Sequence, residues 1–143
     1  MFNILLVEDS PDRQDVLKNL YKFHQTEIAQ NCNDTLYMLK VKTYDIVHLD
    51  YDLDAESTSE MVAHYLKKQS LKCIVIIHSE NPDGVEKLQK ILPRSFVIPF
   101  SHFASKNPFS NQMKSLLASS ELASLSKIKQ VLKEYSVSIT LEE

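Results

Sequence analysis

The chain alternates short apolar runs with longer amphipathic stretches, the pattern of β-strands connected by helices. Strands are predicted at residues 3–7, 27–29, 45–49, 72–77 and 95–98. Runs of consecutive apolar residues are typical of parallel strands, which are covered on both faces. The sequence therefore predicts an α/β protein with a parallel sheet.

Polar caps and apolar faces place helices between and after these strands. Ser10 followed by Pro11 predicts a helix start, because serine caps a first turn and proline fits its first position. Asn33 or Asp34 is predicted to cap the second helix. Residues 1–118 are expected to form one domain, and residues 119–143 a C-terminal helical extension packed on or beside it, with a helix over 120–135.

Acidic residues directly follow two of the predicted strands. Glu8 and Asp9 come after the first strand, and Asp50 comes after the third. In an open parallel sheet ligands bind beyond these strand ends, and in the strand order 2-1-3-4-5 the two strands are neighbours. The carboxylates would converge and repel one another, which a divalent cation such as Mg²⁺ relieves by taking oxygen ligands. Any one of these acids could instead be a solvated strand end or a helix cap.

Composition excludes several classes of function. The 143 residues carry a net charge of −3 without a basic run, which argues against nucleic-acid binding. No signal peptide is recognisable and no apolar run could span a membrane, so a cytoplasmic protein without membrane contact is expected. Gly84 is the one glycine, which excludes Gly-rich phosphate loops. Any phosphate chemistry must then use side chains and metal.

Four segments resemble, in order and spacing, the signature segments of response-regulator receiver domains. They are ILLVEDS at 4–10, YDIVHLD at 44–50, IIHS at 76–79 and FVIPF at 96–100. The resemblance covers roughly residues 2–118. It implies a flavodoxin-like, doubly wound five-stranded parallel sheet of order 2-1-3-4-5, here with an extra C-terminal helix. It also implies a stand-alone receiver in phosphorelay signalling, served by a histidine kinase or phosphotransfer protein and acting through contact with a downstream signalling protein.

The same resemblance implies roles for individual residues. Glu8 and Asp9 would be acids of a Mg²⁺ site, and Asp50 would be both metal ligand and phosphoacceptor. Ser79 would be the hydroxyl that contacts the phosphoryl group. The backbone carbonyl of Asp52, two residues after the acceptor, would complete the metal shell.

Two family positions differ in this chain. Receivers have Lys before the proline of the fifth strand, where it pairs with the acceptor aspartate, but this chain has Ile98. A unit charge about 4 Å away contributes about 4 kcal/mol at an effective dielectric near ~20, as an upper-range illustration. The switch aromatic three residues earlier is Ser95. Output independent of phosphorylation is therefore an open alternative.

A second, local resemblance is to a divergent receiver branch predicted to process cyclic phosphates. That branch has an Asp-His-Asp-Leu string and a His-Ser-x-Asn-Pro string, matched here by LDYDL at 49–53 and HSENP at 78–82. It implies a metal-dependent phosphohydrolase in which Asp50 and Asp52 hold the metal, His78 is acid or base, and Asn81 orients phosphate. Tyr51 stands where the branch has its first His.

Plainer interpretations stay open beside these. His78 could be a packed histidine, and Asn81 with Pro82 a simple helix start. Strand alternation is also expected to send His78 and Ser79 to opposite faces. The acids could be vestigial in a pure scaffold. The apolar stripe of the last helix is explained most simply by core packing, and its alternative is a homodimer through this helix or through the face of the fourth and fifth strands.

Overall fold

Strands and helices alternate along the chain in the computed structural model, which describes residues 1–69, 72–104, 106–118 and 124–137. The strands are β1 (Asn3–Val7), β2 (Gln25–Ala29), β3 (Ile46–Leu49), β4 (Ile74–Ile77) and β5 (Phe96–Val97). The helices are α1 (Pro11–Leu20), α2 (Cys32–Val41), α3 (Glu60–Lys68), α4 (Pro82–Ile91), α5 (Pro108–Leu117) and α6 (Leu125–Tyr135), with a 3₁₀ helix at Phe100–Phe103. No helix in these ranges is long and apolar enough to cross a membrane.

The strands form one parallel sheet in the order β2-β1-β3-β4-β5. This confirms the predicted flavodoxin-like topology and the extra C-terminal helix. Successive residues of β1 point alternately into two cores, Leu5 and Val7 into one and Ile4 and Leu6 into the other. The first core lies under α2, α3 and α4, and the second under α1, α5 and α6. Cover on both faces explains why the central strands are continuous apolar runs.

Helix starts follow the side-chain caps. Ser10 accepts a hydrogen bond from the Arg13 amide and precedes Pro11, as predicted. The prediction for α2 was wrong by two or three residues. Its cap is Asn31, whose Oδ1 accepts from the Asp34 amide at 2.8 Å, so Asp34 lies inside the first turn. An Asn side chain reaches the amide three residues on, and Asn31 is the residue that is still extended.

The last helix packs on the rest of the chain. Ile128 and Leu132 are fully buried in the second core, and the Tyr135 ring lies 5.4 Å from that of Phe109. Beyond the helix, the Val137 amide donates to the Val97 carbonyl at 2.9 Å, which covers part of the edge strand β5. The inner stripe of α6 is thus used within the chain. The predicted start of this helix, at residues 120–123, lies outside the described residues.

We expect truncation of the α6 stripe to destabilise the whole domain. Replacing the fully buried Leu132 with Ala leaves a cavity in the second core and should cost about 2–5 kcal/mol of unfolding free energy. Urea denaturation followed by circular dichroism measures the change. The control is Lys129→Ala on the exposed side of α6, expected within about 0.5 kcal/mol of wild type. Equal stability of both variants would contradict the packing of α6 described here.

Gly84 allows the loop after β3 to approach α4. A Cβ added there would lie 2.3 Å from Cγ of Tyr51, so the ring would have to move. We expect Gly84→Ala to cost about 1–3 kcal/mol through overpacking. In a double-mutant cycle with Tyr51→Ala, the same glycine substitution should cost much less, because the obstructing ring is gone. Equal costs in both backgrounds would show that the contact with Tyr51 does not require glycine.

Candidate metal and phosphate site

Strand register brings three residues together at the carboxyl edge of the sheet. Val7 pairs with Leu49, and Leu49 pairs with Ile77. The backbone ladder continues one residue further, since the Asp50 amide donates to the Val7 carbonyl at 3.1 Å and the His78 amide to the Leu49 carbonyl at 3.0 Å. Glu8, Asp50 and His78 therefore leave β1, β3 and β4 side by side.

These three side chains form a compact polar cluster. One ligating atom from each of Glu8, Asp50 and His78 lies within 4.8 Å of the others. His78 Nε2 donates to Glu8 Oε1 at 2.8 Å, and both residues are fully buried, whereas Asp50 keeps 6% of its surface exposed. The Ser10 amide donates to Glu8 Oε2 at 3.0 Å. Glu8 is thus fixed on both carboxylate oxygens, and Asp50 is the acid nearer to solvent.

Arg13 supplies a positive charge to the same cluster. Its Nη1 lies 3.6 Å from Asp50 Oδ2 and 3.9 Å from Glu8 Oε1, while Nη2 forms an ion pair with Glu80. The guanidinium carbon lies 5.0 Å above the centre of the Phe100 ring. Motif reasoning missed Arg13, which lies in the first turn of α1. The available signal was charge balance, because two buried acids require a nearby cation.

The environment shifts the acid pKa values in different directions. Burial alone raises the pKa of Glu8, but the hydrogen bond and charge of His78, the Ser10 amide and Arg13 together leave it lowered. The pKa of Asp50 is raised, chiefly by burial and also by the charge of Glu8, although His78, Ser79 and Arg13 act in the opposite direction. The surroundings therefore favour the charged form of Glu8, whereas burial makes the charge of Asp50 costly until a cation shares it.

Asp9 turns away from the cluster. Its carboxyl group hydrogen-bonds that of Asp54, and burial, Asp54 and Glu8 raise its pKa to about 6. Among the described residues, the group of potential ligands contains His78 in the place where the sequence suggested Asp9. The difference lies in the partners, since the Asp9 carboxyl group is engaged by Asp54 whereas the His78 ring reaches Glu8.

The loop after β4 contributes further polar groups. The Ser79 hydroxyl hydrogen-bonds the Asp50 carboxylate and accepts from the Asn81 amide at 3.1 Å. The expectation that His78 and Ser79 face opposite sides was wrong, because β4 ends at Ile77 and alternation does not continue past it. Asn81 caps α4 through the Gly84 amide, and its Nδ2 also donates to Asp52 Oδ2 at 3.0 Å. Asn81 is thus a helix start and a link to Asp52 at once.

An apolar, fully buried residue occupies the position at which receivers carry a lysine. Ile98 is fully buried in the second core together with Phe103 and Phe109. The Ser95 hydroxyl donates to the Leu92 carbonyl at 2.6 Å. Neither side chain offers a charge or an aromatic ring to Asp50.

The donor set fits a divalent cation. Glu8 and Asp50 offer carboxylate oxygens of the kind that Mg²⁺ and Mn²⁺ take, and the His78 ring lies within the same group while its Nε2 donates to Glu8. Asp50 is the member with both a raised pKa and access to solvent. A cation here would offset the repulsion between the two buried acids.

Comparisons with solved structures agree with this fold. The Mn²⁺-bound response regulator Rcp1 has a TM-score of 0.59 at 19% identity, over 82% of this chain and 91% of that one. The response regulator TrrA of Thermotoga maritima, in complex with Mg²⁺-BeF, has a TM-score of 0.62 at 17% identity, over 92% and 99%. The receiver domain of a histidine kinase of Syntrophus aciditrophicus has a TM-score of 0.62 at 23% identity, over 99% and 98%.

Sequence comparison identifies the family. No curated protein sequence matches the chain significantly. The family model of the cyclic-phosphate processing receiver domain matches residues 4–94, which include Glu8, Asp50 and the loop after β4. The chain therefore belongs to the family of cyclic-phosphate processing receiver domains.

Proposed function

We propose that this chain is a receiver module that accepts a phosphoryl group on Asp50 in the presence of a divalent cation. The supporting observation is the setting of the Asp50 carboxylate. It lies beside the Ser79 hydroxyl, the Arg13 guanidinium and the buried Glu8, at the end of a central strand. A hydroxyl, a cation and metal ligands around one accessible carboxylate are what transfer of a phosphoryl group to that oxygen requires.

His78 acts in this proposal as a positioning residue. It has no exposed surface, and its Nε2 is engaged by Glu8 at 2.8 Å. A proton donor to substrate would have to reach solvent, so His78 is better suited to fix and charge-balance Glu8. Glu8 and Asp50 would then be the oxygen ligands of Mg²⁺. The backbone carbonyl of Asp52 is a further proposed ligand, and Asp9 would become one when its carboxyl group leaves Asp54.

Two structural neighbours that were solved with a divalent cation support the cation in this proposal. Rcp1 was solved with Mn²⁺, and TrrA with Mg²⁺ and a beryllium fluoride. A histidine kinase or phosphotransfer protein would supply the phosphoryl group, and contact with a downstream signalling protein would be the output. The domain proper would end near residue 118, with α6 as an extension packed against it.

A metal-dependent phosphohydrolase is the second candidate. Membership of the cyclic-phosphate processing family favours it. So does the hydrogen bond between Asn81 and Asp52, because each residue belongs to one of the two strings shared with that branch. In this case Asp50 and Asp52 would hold the metal, Asn81 would orient a cyclic phosphate, and His78 would move a proton. The burial of His78 and the tyrosine at position 51 argue for the first proposal.

A phosphodonor experiment separates the two candidates. With Mg²⁺ and acetyl phosphate, we expect mass spectrometry to detect one added phosphoryl group that is absent in Asp50→Asn. Asp52→Asn is the matched control, because its amide oxygen can still accept from Asn81 and the proposal uses only the Asp52 backbone. The variant should keep the adduct. No adduct on the wild type, with turnover of 2′,3′-cyclic nucleotides that Asp52→Asn and His78→Ala lose, would establish the hydrolase instead.

Cation binding should stabilise the fold. At a free ion concentration of about 100 times its dissociation constant, the unfolding free energy should rise by about 2.7 kcal/mol, because the folded state alone presents the assembled ligands. Thermal unfolding with Mg²⁺ or Mn²⁺ measures the shift. Asp50→Asn should abolish the shift, whereas Asp12→Asn, which removes an exposed acid of α1, should retain it. A shift of equal size in Asp50→Asn would place the cation elsewhere.

A further inference from the structure

The site described above lacks the positive charge that other receivers supply from the end of the fifth strand. At the position of the family lysine the chain carries a buried isoleucine, Ile98, inside an apolar core. A phosphoryl group on Asp50 would turn a carboxylate of one negative charge into an acyl phosphate that carries about two, beside Glu8. Such a dianion requires a positive partner from another part of the chain.

Arg13 has the geometry of that partner. Its Nη1 lies 3.6 Å from Asp50 Oδ2, and its side chain is 22% exposed. The guanidinium therefore borders both the acid and solvent. The guanidinium is also held by the Phe100 ring, whose centre lies 5.0 Å from the guanidinium carbon. A planar guanidinium presents several N–H donors in one fork, which matches phosphate oxygens in pairs.

Glu80 holds the other end of the guanidinium. The ion pair joins Arg13 Nη2 to the carboxylate of Glu80, whose side chain is 68% exposed. Exposed ion pairs contribute little to the free energy of folding. A phosphoryl group can therefore compete with Glu80 for Arg13. Glu80 stands between Ser79, which contacts Asp50, and Asn81, which caps α4. Loss of the ion pair between Arg13 and Glu80 would therefore change the contacts of the loop that leads into α4.

We propose that Arg13 binds the phosphoryl group on Asp50, in place of the lysine that other receivers supply from the fifth strand. This proposal rests on the proposed phosphoacceptor function. Arg13 is held near its working position by Glu80 and Phe100, and turns Nη2 from Glu80 to the phosphoryl oxygens when the group is present.

The test uses Mg²⁺ with beryllium fluoride as a mimic of the aspartyl phosphate, followed by fluorine NMR titration of the full chain. Arg13→Met keeps an unbranched apolar side chain and removes the charge. It should weaken beryllium fluoride binding at least about tenfold, the loss expected for hydrogen bonds between charged groups. Arg13→Lys should restore part of the affinity. Glu80→Gln should bind as tightly as wild type or more tightly, because its amide competes less for the guanidinium.

Mg²⁺ affinity, measured without fluoride, excludes a purely structural effect. Removing the Arg13 charge beside Glu8 and Asp50 should leave Mg²⁺ binding unchanged or tighter, whereas a misfolded variant would lose both ligands. Wild-type affinity for beryllium fluoride in Arg13→Met would overturn the role of Arg13 and leave the phosphoacceptor proposal standing. If the wild type itself binds Mg²⁺ but no beryllium fluoride, both proposals fall.

Discussion

Two carboxylates buried side by side at the edge of a parallel sheet are the constraint around which this site is arranged. Glu8 has no exposed surface and Asp50 has very little, so neither can rely on water to stabilise its charge. The protein compensates with an imidazole that follows β4 and a guanidinium from α1, and it fixes Glu8 further with the Ser10 amide at the start of α1. Glu8, Asp50 and His78 follow three different strands, so the site is assembled only when β1, β3 and β4 are paired.

The same constraint links the departures from the receiver pattern to one another. Where a lysine would approach Asp50 from β5, Ile98 joins Phe103 and Phe109 in a core that continues to Ile128 and Leu132 of α6. The positive side chain next to Asp50 is Arg13 of α1, and the residue that follows β5 on this side, Ile98, packs in the same apolar core as α6. The last described residue, Val137, then hydrogen-bonds the β5 edge. A face that would otherwise be open is thereby partly covered by the chain's own C-terminal segment.

Much of the fold and part of the site could be predicted from the sequence. Continuous apolar runs predict the parallel sheet, and the strand order that the receiver resemblance implies predicts the convergence of Glu8 with Asp50. The cap of α2 and the direction of Asp9 could not be predicted, since each depends on backbone geometry over one or two residues. Arg13 was missed for another reason. Its partners Glu8, Asp50 and Glu80 lie on three separate segments, and nothing in the string around Arg13 reveals that they meet.

The charges at this site suggest an order of binding. While Asp50 and Glu8 share only Arg13 and His78, the guanidinium is occupied by carboxylates, and burial together with the charge of Glu8 holds the pKa of Asp50 above its usual value. Once a divalent cation binds those carboxylate oxygens, the acids no longer depend on the Arg13 guanidinium for neutralisation. The guanidinium can then bind an incoming anion. Cation binding would then precede phosphate binding for an electrostatic reason.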